Sequence, residues 1–211
     1  MTPMKYIIMC GGYYPGWEMP RQMLCIHGEP IVLRTIRLLL HEGIRDIAIS
    51  SNDKRFKIFG VPVLNHENTF VGYRECPGSW AEAFYPMDKP ACYIMGDVFF
   101  SPDAIRTIVS TDTDDVEFFA SSPPFSEKYI KRWAEPFAFK VRNQEHFKEA
   151  VEFIKANEHL FNRKPIAWEL WQVLKKTPLN KIDYNNYTAI NDYTCDIDSR
   201  RDIEQIRRKL E

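Results

Sequence analysis

The sequence predicts an α/β domain of three layers around a mostly parallel sheet. Three observations predict it. Short apolar runs recur along the first 120 residues, amphipathic helical patterns separate them, and two of the runs, KYIIMC and ACYIM, end in glycine. Alternation of this kind builds a doubly wound sheet. The chain has 211 residues, enough for one domain with a sizeable core.

Residues 5–10 (KYIIMC) form an apolar run that stops at Gly11-Gly12, the pattern of a buried parallel strand entering a loop. In PIVLRTIRLLLHEGI, Ile31, Leu33, Ile36, Leu39 and Leu40 fall at helical spacing, with Gly43 as the stop. The segment DIAIS, residues 46–50, reads as the second strand, so the chain opens with a β–loop–α–β unit and a right-handed crossover. VPVL, at 61–64, is a short strand, and the polar residues 65–78 form a loop. Ser79 is placed to cap a helix over WAEAFYPM. ACYIM, at 91–95, is the next buried strand and ends at Gly96-Asp97. Ser101 before Pro102 starts a helix, PDAIRTIV, and VEFFA at 116–120 is a further strand.

Past residue 122 the texture changes. SPPFSEKYIKRWAEPFAF is rich in proline and aromatics; AFKV then reads as a strand, 144–160 as a helix and WELWQVL as an aromatic segment. Residues 122–190 are expected to form a small accessory lobe over one end of the sheet, within a single domain of residues 1–211. The chain then returns with YTCDID and closes on a charged helix, SRRDIEQIRRKLE.

Composition excludes several classes. Hydrophobic residues make up 45%, charged residues 27%, and the net charge is −1. That balance argues against broad electrostatic binding to nucleic acid or to a membrane. The five cysteines, at 10, 25, 76, 92 and 195, are odd in number and form no Cys-x-x-Cys pair, so neither a disulfide scaffold nor a structural zinc site is expected. Reduced thiols and an N-terminal apolar run too short for a membrane span or a secretory signal lead us to expect a cytoplasmic protein. The histidines show no ligand spacing.

Four places carry candidate chemistry. In the loop after the first strand, Cys10, Gly11 and Gly12 let the backbone approach phosphates and turn its N–H groups toward them, and Arg21 further along can neutralise their charge. An ordinary strand-to-helix turn is the plainer reading of the glycines. Asp97, after the strand ACYIM, points into the crevice where α/β sheets bind ligands, and its carboxylate can hold Mg²⁺. The alternative, a helix-capping aspartate, is less apt because Ser101 is better placed. Asp196 and Asp198 share one face if 193–198 is a strand, and two close carboxylates need a cation or a salt-bridge partner. A cap by Asp198 and a pair of Asp196 with Arg200 or Arg201 would also account for them. Gly78-Ser79 precedes the helix WAEAF and reads equally as an N-cap. Trp133, Glu135, Phe137, Trp168 and Trp171 could line a pocket, although core packing explains aromatics at this spacing as well.

The order Pro20-Arg21-Gln22-Met23-Leu24, then Ile26, then Gly28-Glu29-Pro30-Ile31, resembles the signature of the nucleotidyltransferase superfamily. The resemblance extends through Gly78-Ser79 and Gly96-Asp97 to the ending Asp-x-Asp-x-x-x-Asp-Ile, in that order along most of the chain. It implies a three-layer Rossmann-like fold of the GT-A type. It implies transfer of a nucleoside monophosphate from a nucleoside triphosphate to a phosphorylated small molecule of the sugar or alditol phosphate type, with release of pyrophosphate. Arg21 then falls on the family's lysine, which contacts the triphosphate; Gly78-Ser79 lies near the nucleobase; and Asp97 with Asp198 or Asp196 binds Mg²⁺ as cofactor. The ending favours CTP, and a homodimer is compatible with the sequence. One departure is plain. Gly16 stands where the family loop carries an arginine, and Arg21, Lys131 or Arg132 is left to supply that charge. A GT-A-type glycosyltransferase would want Asp-x-Asp where this chain has Gly96-Asp97-Val98-Phe99. A non-catalytic nucleotide-binding or sensor protein would accommodate the altered loop.

Overall fold

The structure, a computed structural model, describes residues 3–11, 16–66 and 80–211. In chain order its elements begin with β1 (Lys5–Met9), the short hairpin β2 (Cys25–Ile26) and β3 (Glu29–Pro30), α1 (Ile31–His41), β4 (Ile47–Ser50) and β5 (Val63–Leu64). Then come β6 (Ala91–Met95), β7 (Val98–Phe99), α2 (Pro102–Ser110), β8 (Val116–Ala120), β9 (Pro136–Val141), α3 (Gln144–Ala156), α4 (Ala167–Lys175), β10 (Thr188–Ala189), β11 (Cys195–Asp196) and α5 (Arg200–Leu210).

Seven strands form one sheet in the order β10-β8-β9-β6-β1-β4-β5. All neighbours pair in parallel except β9, which runs antiparallel to both β6 and β8. The mostly parallel α/β sheet expected from the sequence is therefore present. The apolar runs become strands because both sheet faces are covered: every residue of β4 and β6 is buried. The chain lays β4 and β5 on one side of β1 and then crosses to place β6 on the other. This reversal opens a crevice beyond the carboxyl ends of β1 and β6.

The helices start and stop where local chemistry dictates. Ser101 Oγ accepts a hydrogen bond from the Ala104 amide at 2.9 Å, with Pro102 at the first helical position of α2. Gly43, at φ +83°, turns the chain out of α1 in a left-handed conformation that favours glycine. On α1 the buried stripe is Ile31, Val32, Thr35, Ile36, Leu38 and Leu39, so Leu33 and Leu40 face solvent instead of the core. Helices α3 and α4 pack together. Tyr93 stacks on Phe147 of α3 at 5.7 Å, and Phe118 meets Trp168 and Trp171 of α4 at 5.0 and 5.6 Å. Both tryptophans are core residues.

Three expectations differ from what forms. The helix expected over WAEAFYPM is only a 3₁₀ turn, Ala81–Ala83. Pro86 pushes the residue before it toward extended backbone, and a few residues cannot repay helix nucleation. Phe84 instead drops into the aromatic cluster against Tyr93, Phe139 and Phe147. The strand expected in an accessory lobe is β9, which lies in the interior of the sheet, and α3 and α4 belong to the same core. Sequence pattern identified that strand but not the gap between β6 and β8 into which it fits. The third difference lies at 193–198, where only Cys195–Asp196 is strand and pairs antiparallel with β7, apart from the main sheet. Among the described residues no helix is long and apolar enough to cross a membrane.

Candidate active site

The site begins where β1 and β6 end. The Gly96 amide donates to Met9 O at 3.0 Å, carrying the pairing one residue beyond β6. A Cβ at Gly96 would stand 2.2 Å from Met9 O and 2.8 Å from Cys10 Sγ, so the backbones meet at a distance only glycine permits. The close approach sets Asp97 near Cys10. Cys10 is buried, and burial, then the charge of Asp97, pushes its thiol well above its ordinary value. Gly12, Gly78 and Ser79 lie outside the described residues.

A second, smaller core draws three distant segments together over this edge. Ile26 and Ile31 pack with Phe99, Cys195, Ile197 and Ile206. β7 and β11 pair there, Val98 opposite Asp196, and the Ile197 amide donates to Asp97 O at 2.9 Å. Asp97 and Asp198 are thereby brought to the same end of one ribbon.

Arg21 joins them. Its Nη2 donates to Asp97 Oδ2 at 2.8 Å and its Nη1 to Asp198 Oδ1 at 2.9 Å and to Ile197 O at 2.5 Å. Burial pushes the Asp97 carboxyl up to about 6, and the nearby Asp196 and Asp198 add to the rise, while Arg21 opposes it. On the far side of Asp198 stands Lys131, buried, with Nζ 2.8 Å from Asp198 Oδ2, 3.1 Å from Glu135 Oε1 and 3.6 Å from Asp202 Oδ2, and hydrogen-bonded also to Asp196. Burial works against the Lys131 charge, but Asp196, Glu135 and Asp198 outweigh it and hold the ammonium well above its usual range. Burial likewise opposes the charge of Asp198, and Lys131 and Arg21 nevertheless keep its carboxyl below the usual range. Burial raises the Glu135 carboxyl, and its Oε2 accepts from the Asp196 amide at 3.2 Å. Asp202 closes the arrangement by accepting from the amides of Asp198 and Ser199, the capping box of α5.

Arg21, Asp97, Asp196 and Asp198 are thus in one constellation. Asp198 does not cap α5, and Asp196 pairs with Lys131 rather than Arg200 or Arg201. The three aspartates do not form a cage: among the described residues no group of three or more His, Cys, Asp or Glu is arranged to hold a metal. Arg132 turns away and donates to Ser126 O at 2.7 Å. Trp133 is half-exposed, 5.2 Å from Lys131 Nζ to the ring centre, whereas Phe137 is in the core. The weight carried by Lys131 and Glu135 was hidden in the sequence. The sequence offers Lys131 as a substitute loop charge and Glu135 as a pocket residue, but nothing in it pairs either with Asp196 and Asp198.

Solved structures share this architecture. The inositol-1-phosphate CTP transferase from T. maritima aligns with 98% of this chain and 96% of its own, at 13% identity and a TM-score of 0.62. The 4-diphosphocytidyl-2C-methyl-D-erythritol synthase from Anaerococcus prevotii aligns over 98% and 95%, at 11% identity and 0.61. The CTP:phosphocholine cytidylyltransferase from Streptococcus pneumoniae aligns over 99% of both chains, at 15% and 0.51. The chain shares the fold of these solved structures. No protein-family model and no curated protein sequence matches it.

On this fold the stretch Gly28-Glu29-Pro30-Ile31 has a structural task. His27 and Gly28, at φ +50° and +78°, make the two-residue turn between β2 and β3. The Ile31 amide donates to Leu24 O at 3.0 Å as α1 begins. The hairpin so formed seats Ile26 and Ile31 in the second core and fixes the turn Arg21–Met23 above it.

Proposed function

We propose that this chain is a nucleotidyltransferase that moves a nucleoside monophosphate from a nucleoside triphosphate to a phosphorylated small molecule and releases pyrophosphate. One observation carries the reading: Asp97 and Asp198, at the switch point of the sheet, share the guanidinium of Arg21. Mg²⁺ takes one or two carboxylates together with phosphate oxygens, so this pair suits it without a third acidic ligand. When bound, Mg²⁺ supplies charge neutralisation and orientation for the phosphate oxygens.

The chain's own groups do the rest. An oxygen of the acceptor phosphate attacks the α-phosphorus, a new P–O bond forms, and the bond to the β-phosphate breaks. A phosphate nucleophile is ionised at neutral pH, so no general base is required, and catalysis rests on positioning and charge. Arg21 passes from its two carboxylates to the entering phosphates, and we assign the glycine-rich stretch after β1 to bind them as well. We assign the acceptor side to the parts of residues 122–190 that lie outside β9, α3 and α4. CTP is the favoured nucleotide on the Asp-x-Asp ending, and the compartment we assign is the cytoplasm.

Pyrophosphate release with each nucleoside triphosphate, Mg²⁺ and a panel of sugar, polyol and amino-alcohol phosphates tests this reading. We expect turnover with one pairing, and its loss in Asp97→Asn; near-normal turnover in that variant would remove the metal-site assignment. Gly16, at φ +85° where a basic residue would serve the phosphates, favours one second reading, a nucleotide sensor. Binding of a triphosphate without turnover of any acceptor would point there. A glycosyltransferase is disfavoured, because Val98 and Phe99 are buried in β7 and offer no second carboxylate.

A further inference from the structure

Asp196 and Asp198 stand two residues apart and present their carboxylates to the same cation, yet they are not equivalent. Asp198 has one oxygen on each of two cations: Oδ2 on Lys131 and Oδ1 on Arg21, which also holds Asp97. Asp196 is tied to Lys131 by its side chain and to Glu135 by its amide. Lys131 differs from Arg21 in freedom. Its side chain is only 2% exposed, against 15% for Arg21, and four carboxylates, Glu135 and three between residues 196 and 202, surround it. An ammonium buried this deeply stays only if it remains paired, so it is not the group that leaves for a ligand.

We infer that Lys131 is a positioning residue that holds Asp196 back and turns one oxygen of Asp198 toward Asp97, so that these two carboxylates alone face an incoming divalent cation. The inference rests on the proposed nucleotide and metal site. The physical logic is one of competing like charges. Without Lys131, Asp196 and Asp198 repel each other and each is free to rotate toward a divalent ion. With it, three ammonium hydrogens are shared among the surrounding acids, and Asp196 is occupied. Lys131 touches neither phosphate nor metal in this scheme. It acts through Asp198, as the outer partners of metal ligands do elsewhere. It also explains why two aspartates of like type, so near in sequence, take different roles.

The test is a double-mutant cycle on Mn²⁺ binding, read by electron paramagnetic resonance with a non-hydrolysable nucleoside triphosphate analogue present. In the wild-type background Asp196→Asn should change Mn²⁺ affinity by less than about 3-fold, whereas in the Lys131→Met background it should weaken affinity about 10-fold, because Asp196 has then entered the site. Lys131→Met alone should bind Mn²⁺ at least as tightly as the wild type, since a neighbouring positive charge is gone. A merely structural role would weaken binding in Lys131→Met and leave the effect of Asp196→Asn the same in both backgrounds; that result overturns the inference. If Lys131→Met does not fold, Lys131→Met/Glu135→Gln, which removes one charge of each sign, replaces it as the background. A wild-type protein that binds the analogue and Mn²⁺, with no coupling between positions 131 and 196, removes the inference alone. A wild-type protein that binds neither removes the proposed site as well.

Discussion

The two hydrophobic clusters differ in what they hold up. The larger one, between the sheet and α1 to α4, is closed and strongly aromatic: Trp171, Tyr93, Phe118 and Phe139 are all nearly inaccessible, their rings in contact directly or through Phe147. The smaller is built on Ile26, Ile31, Phe99, Cys195, Ile197 and Ile206 and lies under a lattice of charges. Apolar area stabilises in proportion to its extent, so the first cluster carries the fold. The second is too small to do that. It converts three sequence-distant segments into one rigid edge on which Arg21, Asp97 and Asp198 meet. Damage to the first should therefore cost the whole protein, and damage to the second should cost the site before the fold.

The largest effect is expected from Trp171→Ala, a loss of about 4 kcal/mol in urea unfolding, because a fully buried indole leaves a cavity the sheet cannot close. Ile206→Ala, at the second core, should cost about 2 kcal/mol, since α5 is exposed along much of its length and can settle inward. The contrast lies in ligand binding. At 25 °C, well below melting, Trp171→Ala molecules that remain folded should bind a nucleoside triphosphate normally, and Ile206→Ala should bind it more weakly. Equal affinities in the two variants would dissolve the distinction.

Gly96→Ala probes the seam between the clusters. The added methyl meets the Met9 carbonyl, a backbone atom that cannot rotate aside, so β6 and β1 must part. We expect a loss of about 3 kcal/mol. Nucleotide affinity should fall with it, because Asp97 moves with the strand end. Unchanged melting temperature would mean that the contact is relieved more easily than its geometry indicates.

Asp97→Asn separates the site's electrostatics from its packing. The folded-state carboxyl is raised to about 6 from its ordinary 3.8, so the fold prefers it protonated. That preference stabilises the protein fully below pH 3.8 and is lost as pH rises through 6. Asparagine cannot ionise. Between pH 4 and pH 7, wild-type stability relative to Asp97→Asn should drop by about 2 kcal/mol, with partial exposure of the carboxylate already discounted. Urea titrations of both proteins at intervals across that range measure it. Parallel curves would show that Arg21 compensates the buried charge completely. A gain of stability at neutral pH together with loss of turnover would mark Asp97 as a residue kept for chemistry.

Legibility in the sequence followed the same division. β1, β4, β6 and β8 are apolar runs, α1 and α2 have helical spacing, and Ser101-Pro102 states where α2 begins; all of it is local and sums over many residues. The site needed more. β7 and β11 are two residues each, too short for a period to show. The pairing of Val98 with Asp196 is a property of the second core, not of either segment alone. Lys131 and Glu135 lie outside any regular element, and what buries them is a carboxylate cluster about sixty residues further along. Asp97 and Arg21 were readable because each follows a local landmark, a strand end and a Pro-x-x-x-Leu stretch. The link between them depends on a hairpin and a ribbon that no local pattern announces.

The smallest effect sharpens the comparison at the helix caps. Asn143 accepts from the His146 amide at 3.1 Å and caps α3, which faces the large core. Ser101 caps α2 but is also hydrogen-bonded to Asp192, and its own amide donates to Thr194 Oγ1 at 2.9 Å, one residue before β11. Asn143→Ala should cost about 1 kcal/mol, the worth of a single cap, and leave nucleotide affinity alone. Ser101→Ala loses a cap of the same type and the side-chain tie to Asp192, leaving the chain that leads into β11, Asp196 and Asp198 held to α2 by the amide alone. Its loss of stability should be little larger, yet its nucleoside triphosphate affinity should fall where that of Asn143→Ala does not. Thermal melting and isothermal titration of the two alanine variants, side by side, read both quantities. If the two lose affinity equally, the ribbon does not depend on its tie to α2, and the second core by itself suffices to place the carboxylates.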